Sequence, residues 1–219
     1  MGNGLKILTI RGIPIILHWS FLLLFPVLAW QVATLYQQSL GWGALLYGLI
    51  FLCVGLHELA HAVVAQRYGI RVRHIVLLPV GGIASLERIP EHAGQEARIA
   101  FAGPAFNLAA AAAIFGFIVW LPGVMFDPLD VWANPSAFTR GTVMLFQINV
   151  LMAVFNLIPI PPLDGSKLLF SILPQQYGRT RMFLERYGQI FLVIVVIFVW
   201  QFISPIIWPI FKVFTGVDF

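Results

Sequence analysis

Five consecutive residues carry the clearest chemical signal in the sequence. They read His57-Glu58-Leu59-Ala60-His61 and lie within a long apolar stretch. Histidines four positions apart lie one turn apart on the same helix face, so both imidazoles can bind one metal ion. Glu58 is then placed beside the water that such an ion activates, where it can act as a general base. The motif predicts a catalytic metal site with His57 and His61 as ligands.

The apolar setting of this motif strengthens the prediction. Ionisable side chains are costly to place in a membrane span and usually serve a function there. In an alternative interpretation, the histidines only hydrogen-bond to neighbouring helices and Glu58 is protonated. Three polar groups in register for one ion are hard to explain by packing, so we favour the metal site.

A catalytic zinc ion needs a third protein ligand and an open position. Asp164 follows an uncharged stretch and lies three residues before Lys167. His57 lies ten residues before Arg67, about 15 Å along a helix. Both groups are thus expected near basic loops, at similar depth. We predict Asp164 as the third ligand; the alternative is that it only caps a helix.

Cys53 is a competing ligand, because it continues the stripe of the two histidines at the same four-residue spacing. Three ligands on one straight helix would spread over about 12 Å, too far to converge on one ion. We therefore expect Cys53 to pack in a helix interface. As the only cysteine, it also excludes an intrachain disulfide.

The composition shows what must position these groups. Of the 219 residues, 60% are hydrophobic and 10% are charged, whereas soluble domains carry roughly 25% charged residues. Four uncharged gaps are each long enough for a helix of about 20 residues across a bilayer; they run from Arg11 to Glu58, Arg98 to Asp127, Arg140 to Asp164 and Arg186 to Lys212. The net charge of +4 includes no dense basic run, so no nucleic-acid partner is expected. The chain is predicted to be embedded in the lipid bilayer.

The predicted fold is an all-α polytopic membrane protein with five to six transmembrane helices. The spans are about Ile13–Tyr36, Trp42–Gln66, Ile99–Leu121, Gly141 to the prolines at 159–162, and one from near Tyr187 with a short sixth segment after Pro205. Residues 74–86 are apolar but too short for a spanning helix, and Pro79 with Gly81-Gly82 would break one. This segment predicts a short re-entrant, membrane-embedded β-hairpin.

Basic residues predict the orientation of the chain. With these spans, 11 of the 13 lysines and arginines fall on one side of the membrane and two, Arg140 and Lys212, on the other. The positive-inside rule places the richer side in the cytoplasm. The N-terminus is therefore expected in the cytoplasm, with the metal site toward the same side of the membrane.

The combined motifs resemble the site-2 protease family of intramembrane zinc metalloproteases. The resemblance rests on the histidine motif and on Leu163-Asp164-Gly165 about a hundred residues later. It extends to Gly81-Gly82, Ala102-Gly103-Pro104-Ala105-Phe106-Asn107 and Phe155-Asn156-Leu157-Ile158-Pro159. The sequence is most similar to the prokaryotic branch that includes the sporulation factor protease.

This resemblance implies roles for particular residues. His57, His61 and Asp164 would bind Zn²⁺, and Glu58 would be the catalytic base. Asn156 would help to hold substrate or the oxyanion, and the hairpin at Gly81 and Gly82 would receive substrate as an added strand. Asn107 would be structural or would hydrogen-bond to the active-site helix. The implied substrates are single-span membrane proteins, such as anti-sigma factors or membrane-tethered regulatory factors.

The length of the chain sets the domain prediction. Family members often carry a PDZ domain or CBS domains, and neither fits in 219 residues. We expect a single transmembrane metalloprotease domain over residues 1–219. Two alternatives remain from the sequence: a metal-ion transporter or channel with the same residues as a permeation site, and a catalytically silent relative that binds membrane partners.

Overall fold

The computed structural model describes residues 4–79, 81–88, 90–120, 136–173, 178 and 181–194. The strands are β1 (Gly4–Ile10), β2 (Ile13–His18), β3 (Val72–Leu78) and β4 (Gly81–Leu86). The helices are α1 (Trp19–Leu35), α2 (Leu40–Arg67), α3 (Ala93–Trp120), α4 (Ala137–Asn156) and α5 (Asp164–Ile172). Residues 181–194 are also helical.

Three helices of the described part, α2, α3 and α4, are long and apolar enough to cross a membrane. They confirm three predicted helical segments, although α3 begins at Ala93 rather than Ile99. Serine side chains begin two of them, since Ser39 and Ser136 accept hydrogen bonds from the backbones of Trp42 and Thr139. The total of five to six spans stays a prediction, because most of the last apolar stretch lies outside the described residues.

The fold is mostly helical, as predicted, but it contains a four-stranded sheet where only a hairpin was expected, and the predicted helix start at Ile13 was wrong. Residues 13–18 form β2, and α1 is an apolar helix of only 17 residues. Arg11 and Gly12 have φ of 51° and 78° and form the two-residue turn between β1 and β2. Positive φ at both positions matches the twist of paired strands. The apolar run from Ile13 does not distinguish a buried strand from a helix, and for this reason residues 13–18 were predicted as helix.

The sheet has the order β1-β2-β3-β4, with β2 and β3 parallel and the other pairs antiparallel. The predicted pair of strands is present as β3 and β4, which lie along α2. The re-entrant position of this hairpin in the membrane stays a prediction. Leu77 of β3 lies beside Gly55, and the Tyr47 hydroxyl donates a hydrogen bond of 2.8 Å to the Pro79 carbonyl at the hairpin turn. The hairpin is thereby held against the helix that carries the histidine motif.

A buried core joins the sheet to the first two helices. One face of β2 and β3 contributes Ile13, Ile15 and Ile75, which are at most 7% exposed. Phe21 of α1 and Phe51 of α2 belong to the same cluster, with ring centroids 4.0 Å apart. Because apolar burial drives this packing, the sheet and α2 form a common scaffold for the histidines.

Candidate metal centre

Three side chains from two helices converge at one buried point. His57 and His61 lie in the C-terminal half of α2, and Asp164 is the first residue of α5. The two histidine Nε2 atoms are 3.1 Å apart, and Asp164 Oδ2 lies 3.3 Å from His57 Nε2 and 3.0 Å from His61 Nε2. The structure thus brings together the three predicted ligands.

These distances suit one tetrahedral ion. Zinc bonds to nitrogen and oxygen of about 2.0–2.1 Å that meet at the tetrahedral angle place neighbouring ligand atoms about 3.3 Å apart. The observed separations of 3.0, 3.1 and 3.3 Å agree with this spacing. The donor set, two imidazoles and one carboxylate, is also typical of catalytic zinc. His57, His61 and Asp164 therefore fit a zinc ion.

Both imidazole rings are oriented through their other nitrogen. His57 Nδ1 donates a hydrogen bond to Asn107 Oδ1, and His61 Nδ1 donates one of 2.6 Å to the Ile99 carbonyl. A ring that donates through Nδ1 presents the lone pair of Nε2 to a metal. Of the two roles considered for Asn107, the structure shows the hydrogen bond from the third span to the active-site helix.

Asp164 does not cap α5, and its carboxylate faces the two histidines. Residue Leu163 occupies the N-cap position of α5, and no side chain caps this helix. Asp164 Oδ1 accepts a hydrogen bond of 3.1 Å from Lys167 Nζ, which leaves Oδ2 toward the histidines.

Two glycines provide the space around this site. A Cβ on Gly103 of α3 would lie under 3.0 Å from His61 Nε2 and from the His57 ring. A Cβ on Gly82 of β4 would lie under 3.0 Å from Glu58 Cγ. Glycine is required wherever backbone approaches a functional group this closely. Gly103 was not predicted as a site residue, although it lies in the Ala102–Asn107 element on which the family resemblance partly rests.

The other predicted site residues belong to three elements, namely α2, α4 and β4. Glu58 is half-buried, adjoins His57 and is not part of the three-residue ligand cluster. Asn156 ends α4 and donates a hydrogen bond of 3.0 Å to the Met152 carbonyl. Gly81 begins β4, and a Cβ there would have no neighbour within 4 Å. Cys53 also lies outside the ligand cluster of the described residues.

Asn149 is the polar residue of the site region that sequence reasoning missed. It lies in α4, is fully buried and contacts Asn107, which in turn contacts His57. An asparagine in the middle of an apolar span was the available signal, because an unpaired amide is costly there. Its partner on another helix could not be read from the sequence.

This arrangement, with two histidines one turn apart, a distant aspartate and an adjoining glutamate, is typical of metallopeptidases. The comparison with known families agrees: the family model "Peptidase family M50" matches residues 45–201. The chain belongs to this family, the site-2 proteases. This membership supports a peptidase and gives no support to a transporter.

Individual relatives are also similar. A zinc metalloprotease of Methanocaldococcus jannaschii is 35% identical over 178 residues, which cover 81% of this chain and 48% of the relative. Stage IV sporulation protein FB of Bacillus subtilis is 33% identical over 132 residues, covering 58% of this chain and 40% of the relative. The chain thus spans about half of the length of the first relative and less than half of the second.

A solved structure extends the similarity to the fold. The site-2 protease from Methanocaldococcus jannaschii superimposes with a TM-score of 0.62 at 30% sequence identity. The alignment covers 97% of this chain and 91% of that structure. The fold described above is therefore a site-2 protease fold.

Proposed function

We propose that the protein is an intramembrane zinc metalloprotease that hydrolyses a peptide bond within or near the transmembrane segment of single-span membrane proteins. The observation that carries this proposal is the buried convergence of His57, His61 and Asp164 beside Glu58. The similarity to a zinc metalloprotease and the membership of the family support zinc as the metal.

The residues of this chain divide the chemistry among them. When bound, zinc would polarise the scissile carbonyl and lower the pKa of a water molecule toward roughly 7. Glu58 takes a proton from the attacking water and delivers it to the leaving amine. Asn156 supplies an amide near the end of α4 to hold the substrate or its oxyanion. Each role requires Glu58 and Asn156 to face the substrate beside the ligand cluster.

Substrate is proposed to bind as a strand on β4. This strand lies at one edge of the described sheet, and its second residue, Gly82, approaches Glu58. A substrate helix hides its amides in internal hydrogen bonds, so it must unwind before cleavage. Pairing with β4 replaces the hydrogen bonds that unwinding removes. Gly81 and Gly82 leave the approach to Glu58 free of side chains.

The proposed orientation places the N-terminus and the centre toward the cytoplasm. His57 lies ten residues before Arg67, the basic residue in the last turn of α2. The distance is about 15 Å along the helix, within the half of the span nearest that end. Water for hydrolysis would enter from this side. Anti-sigma factors and membrane-tethered regulatory factors are the proposed substrates.

A reconstituted assay tests this function. Purified protein in lipid vesicles is mixed with single-span peptides, and the products are identified by mass spectrometry. We expect cleavage that stops on chelation and returns with added zinc. A zinc-sensitive dye inside the vesicles tests transport in the same preparation. Zinc uptake without any cleavage would instead favour the metal-ion transporter or channel.

Gly82→Ala is expected to lower cleavage by about tenfold or more while zinc content stays at the wild-type level. The added Cβ would push against Glu58 Cγ and displace the carboxylate, and small misplacements of reacting groups can cost about 100-fold. Initial cleavage rates and bound zinc are measured together. Gly94→Ala is the control, because Gly94 lies outside the proposed site and a Cβ there meets nothing within 4 Å. Equal rates for the two variants would contradict the proposed contact.

A further inference from the structure

A chain of side-chain amides connects α4 to the metal centre through α3. Asn149 of α4 and Asn107 of α3 are both fully buried. Asn107 Nδ2 donates a hydrogen bond of 2.8 Å to Asn149 Oδ1, and Asn107 Oδ1 accepts one from His57 Nδ1. Asn149 thus lies two hydrogen bonds away from a proposed zinc ligand, without touching the ligand itself.

The orientation of the two hydrogen-bonded amides is fixed at Asn149, the residue farther from the metal centre. Asn149 Nδ2 donates a hydrogen bond of 2.8 Å to the Leu145 carbonyl, which can only accept. Its nitrogen also lies 3.4 Å from Cys53 Sγ. The amide nitrogen is therefore committed to these groups, and its oxygen must face Asn107. This orientation follows from a backbone group that has no alternative role.

The same logic passes through Asn107. Because Asn149 presents an oxygen, Asn107 must turn its nitrogen toward α4, where it also lies 3.9 Å from Met152 Sδ. The Asn107 oxygen then faces His57, and only a protonated Nδ1 satisfies it. His57 is left with its lone pair on Nε2, the atom that faces Asp164.

We propose that Asn149 is a positioning residue that sets the tautomer of His57 for zinc binding by orienting the amide of Asn107. Without Asn149, the Asn107 amide is free to rotate and to present its nitrogen to His57. That arrangement puts the hydrogen on Nε2 and removes the lone pair that a metal needs. The proposal rests on the proposed zinc site and adds a residue that acts on it from α4.

The test is the zinc affinity of purified protein, measured by competition with a chelator. Partners of metal ligands typically contribute about 10–100-fold to affinity, so Asn149→Leu should weaken zinc binding by about tenfold or more. Gln147→Leu is the matched control: it removes an amide from the same helix, and within the described residues the Gln147 side-chain nitrogen has no hydrogen-bond partner. We expect wild-type affinity for this control.

A conservative variant separates the tautomer from packing. In Asn149→Asp, a buried carboxyl is neutral and can still donate to Leu145 and accept from Asn107. This variant should keep zinc affinity within about threefold of wild type, and its Co²⁺-substituted form should keep the wild-type visible spectrum. Unchanged affinity in Asn149→Leu, or equal losses in the leucine and aspartate variants, would overturn the proposal. Should the leucine variant not fold, tenfold weaker binding by Asn149→Asp alone would overturn it.

These readouts distinguish this proposal from the protease function. Zinc affinity requires no substrate, so wild type that binds zinc but cleaves nothing would contradict only the proposed function. Zinc-dependent cleavage together with wild-type affinity in Asn149→Leu would contradict only the role of Asn149.

Discussion

Glu58→Gln is expected to reduce peptide cleavage by about 1,000-fold or more while zinc still binds. The glutamine amide has nearly the same shape as the carboxylate but cannot accept a proton from water, and general bases contribute about 10²–10⁴-fold. The ligand cluster contains His57, His61 and Asp164 but not Glu58, so its donor atoms are unchanged. Cleavage of a single-span peptide and bound zinc are measured on the same sample.

The matched control for this substitution is Glu91→Gln. Glu91 is exposed and pairs with Arg88 on the surface, so its loss should leave cleavage at the wild-type rate. Comparable cleavage by wild type and Glu58→Gln, at equal zinc content, would remove Glu58 from the mechanism. Zinc loss in Glu58→Gln would show instead that Glu58 acts as a ligand.

Gly103→Ala is expected to abolish cleavage by preventing metal binding, with an apparent zinc affinity at least about 100-fold weaker than wild type. The added methyl group would fall under 3.0 Å from His61 Nε2 and the His57 ring. It would therefore press directly on the nitrogens that face the ion. The histidines must move, because the methyl group is bonded directly to the backbone of α3 and cannot rotate out of the way. Zinc content after dialysis and affinity by chelator competition measure the effect.

Gly116→Ala provides the control in the same helix, since a Cβ there meets nothing within 4 Å among the described residues. Alanine favours helix over glycine by about 1 kcal/mol, so this variant should fold at least as well as wild type. A Gly103→Ala protein with full zinc content would refute the steric argument. Lost zinc in both variants would point to a general effect on α3 rather than to its contact with the site.

Local signals in the sequence were sufficient for the histidine motif and its helix. The spacing of His57 and His61 requires only a helix, and the surrounding uncharged run predicted one over 42–66, where α2 extends from Leu40 to Arg67. The positions of the charged residues also predicted that Asp164 lies at a similar depth to the two histidines, and the three side chains do lie close together. These features depend on short-range periodicity and on the cost of burying charge, both of which act residue by residue.

Long-range pairing was not predictable in the same way. Strand β2 pairs with β3, with Ile15 opposite Ile75. The sequence of residues 13–18 contains no signal that identifies a pairing partner so far along the chain. The same holds for Gly103 and Asn149, whose importance comes from side chains on neighbouring helices. An apolar helix has hydrophobic residues on all of its faces, so its sequence gives little information about which face packs against another helix.

The separation of the three ligands along the chain also has a consequence for biosynthesis. Asp164 follows His61 by 103 positions, and a ribosome adding about 5–20 residues per second needs roughly 5–20 s to span that interval. During this time, the nascent chain carries both histidines and Glu58 but no third ligand. The proposed metal site would thus be complete only after α4 has been synthesised. An unfinished chain in the translocon would lack the third ligand and could not hydrolyse peptides.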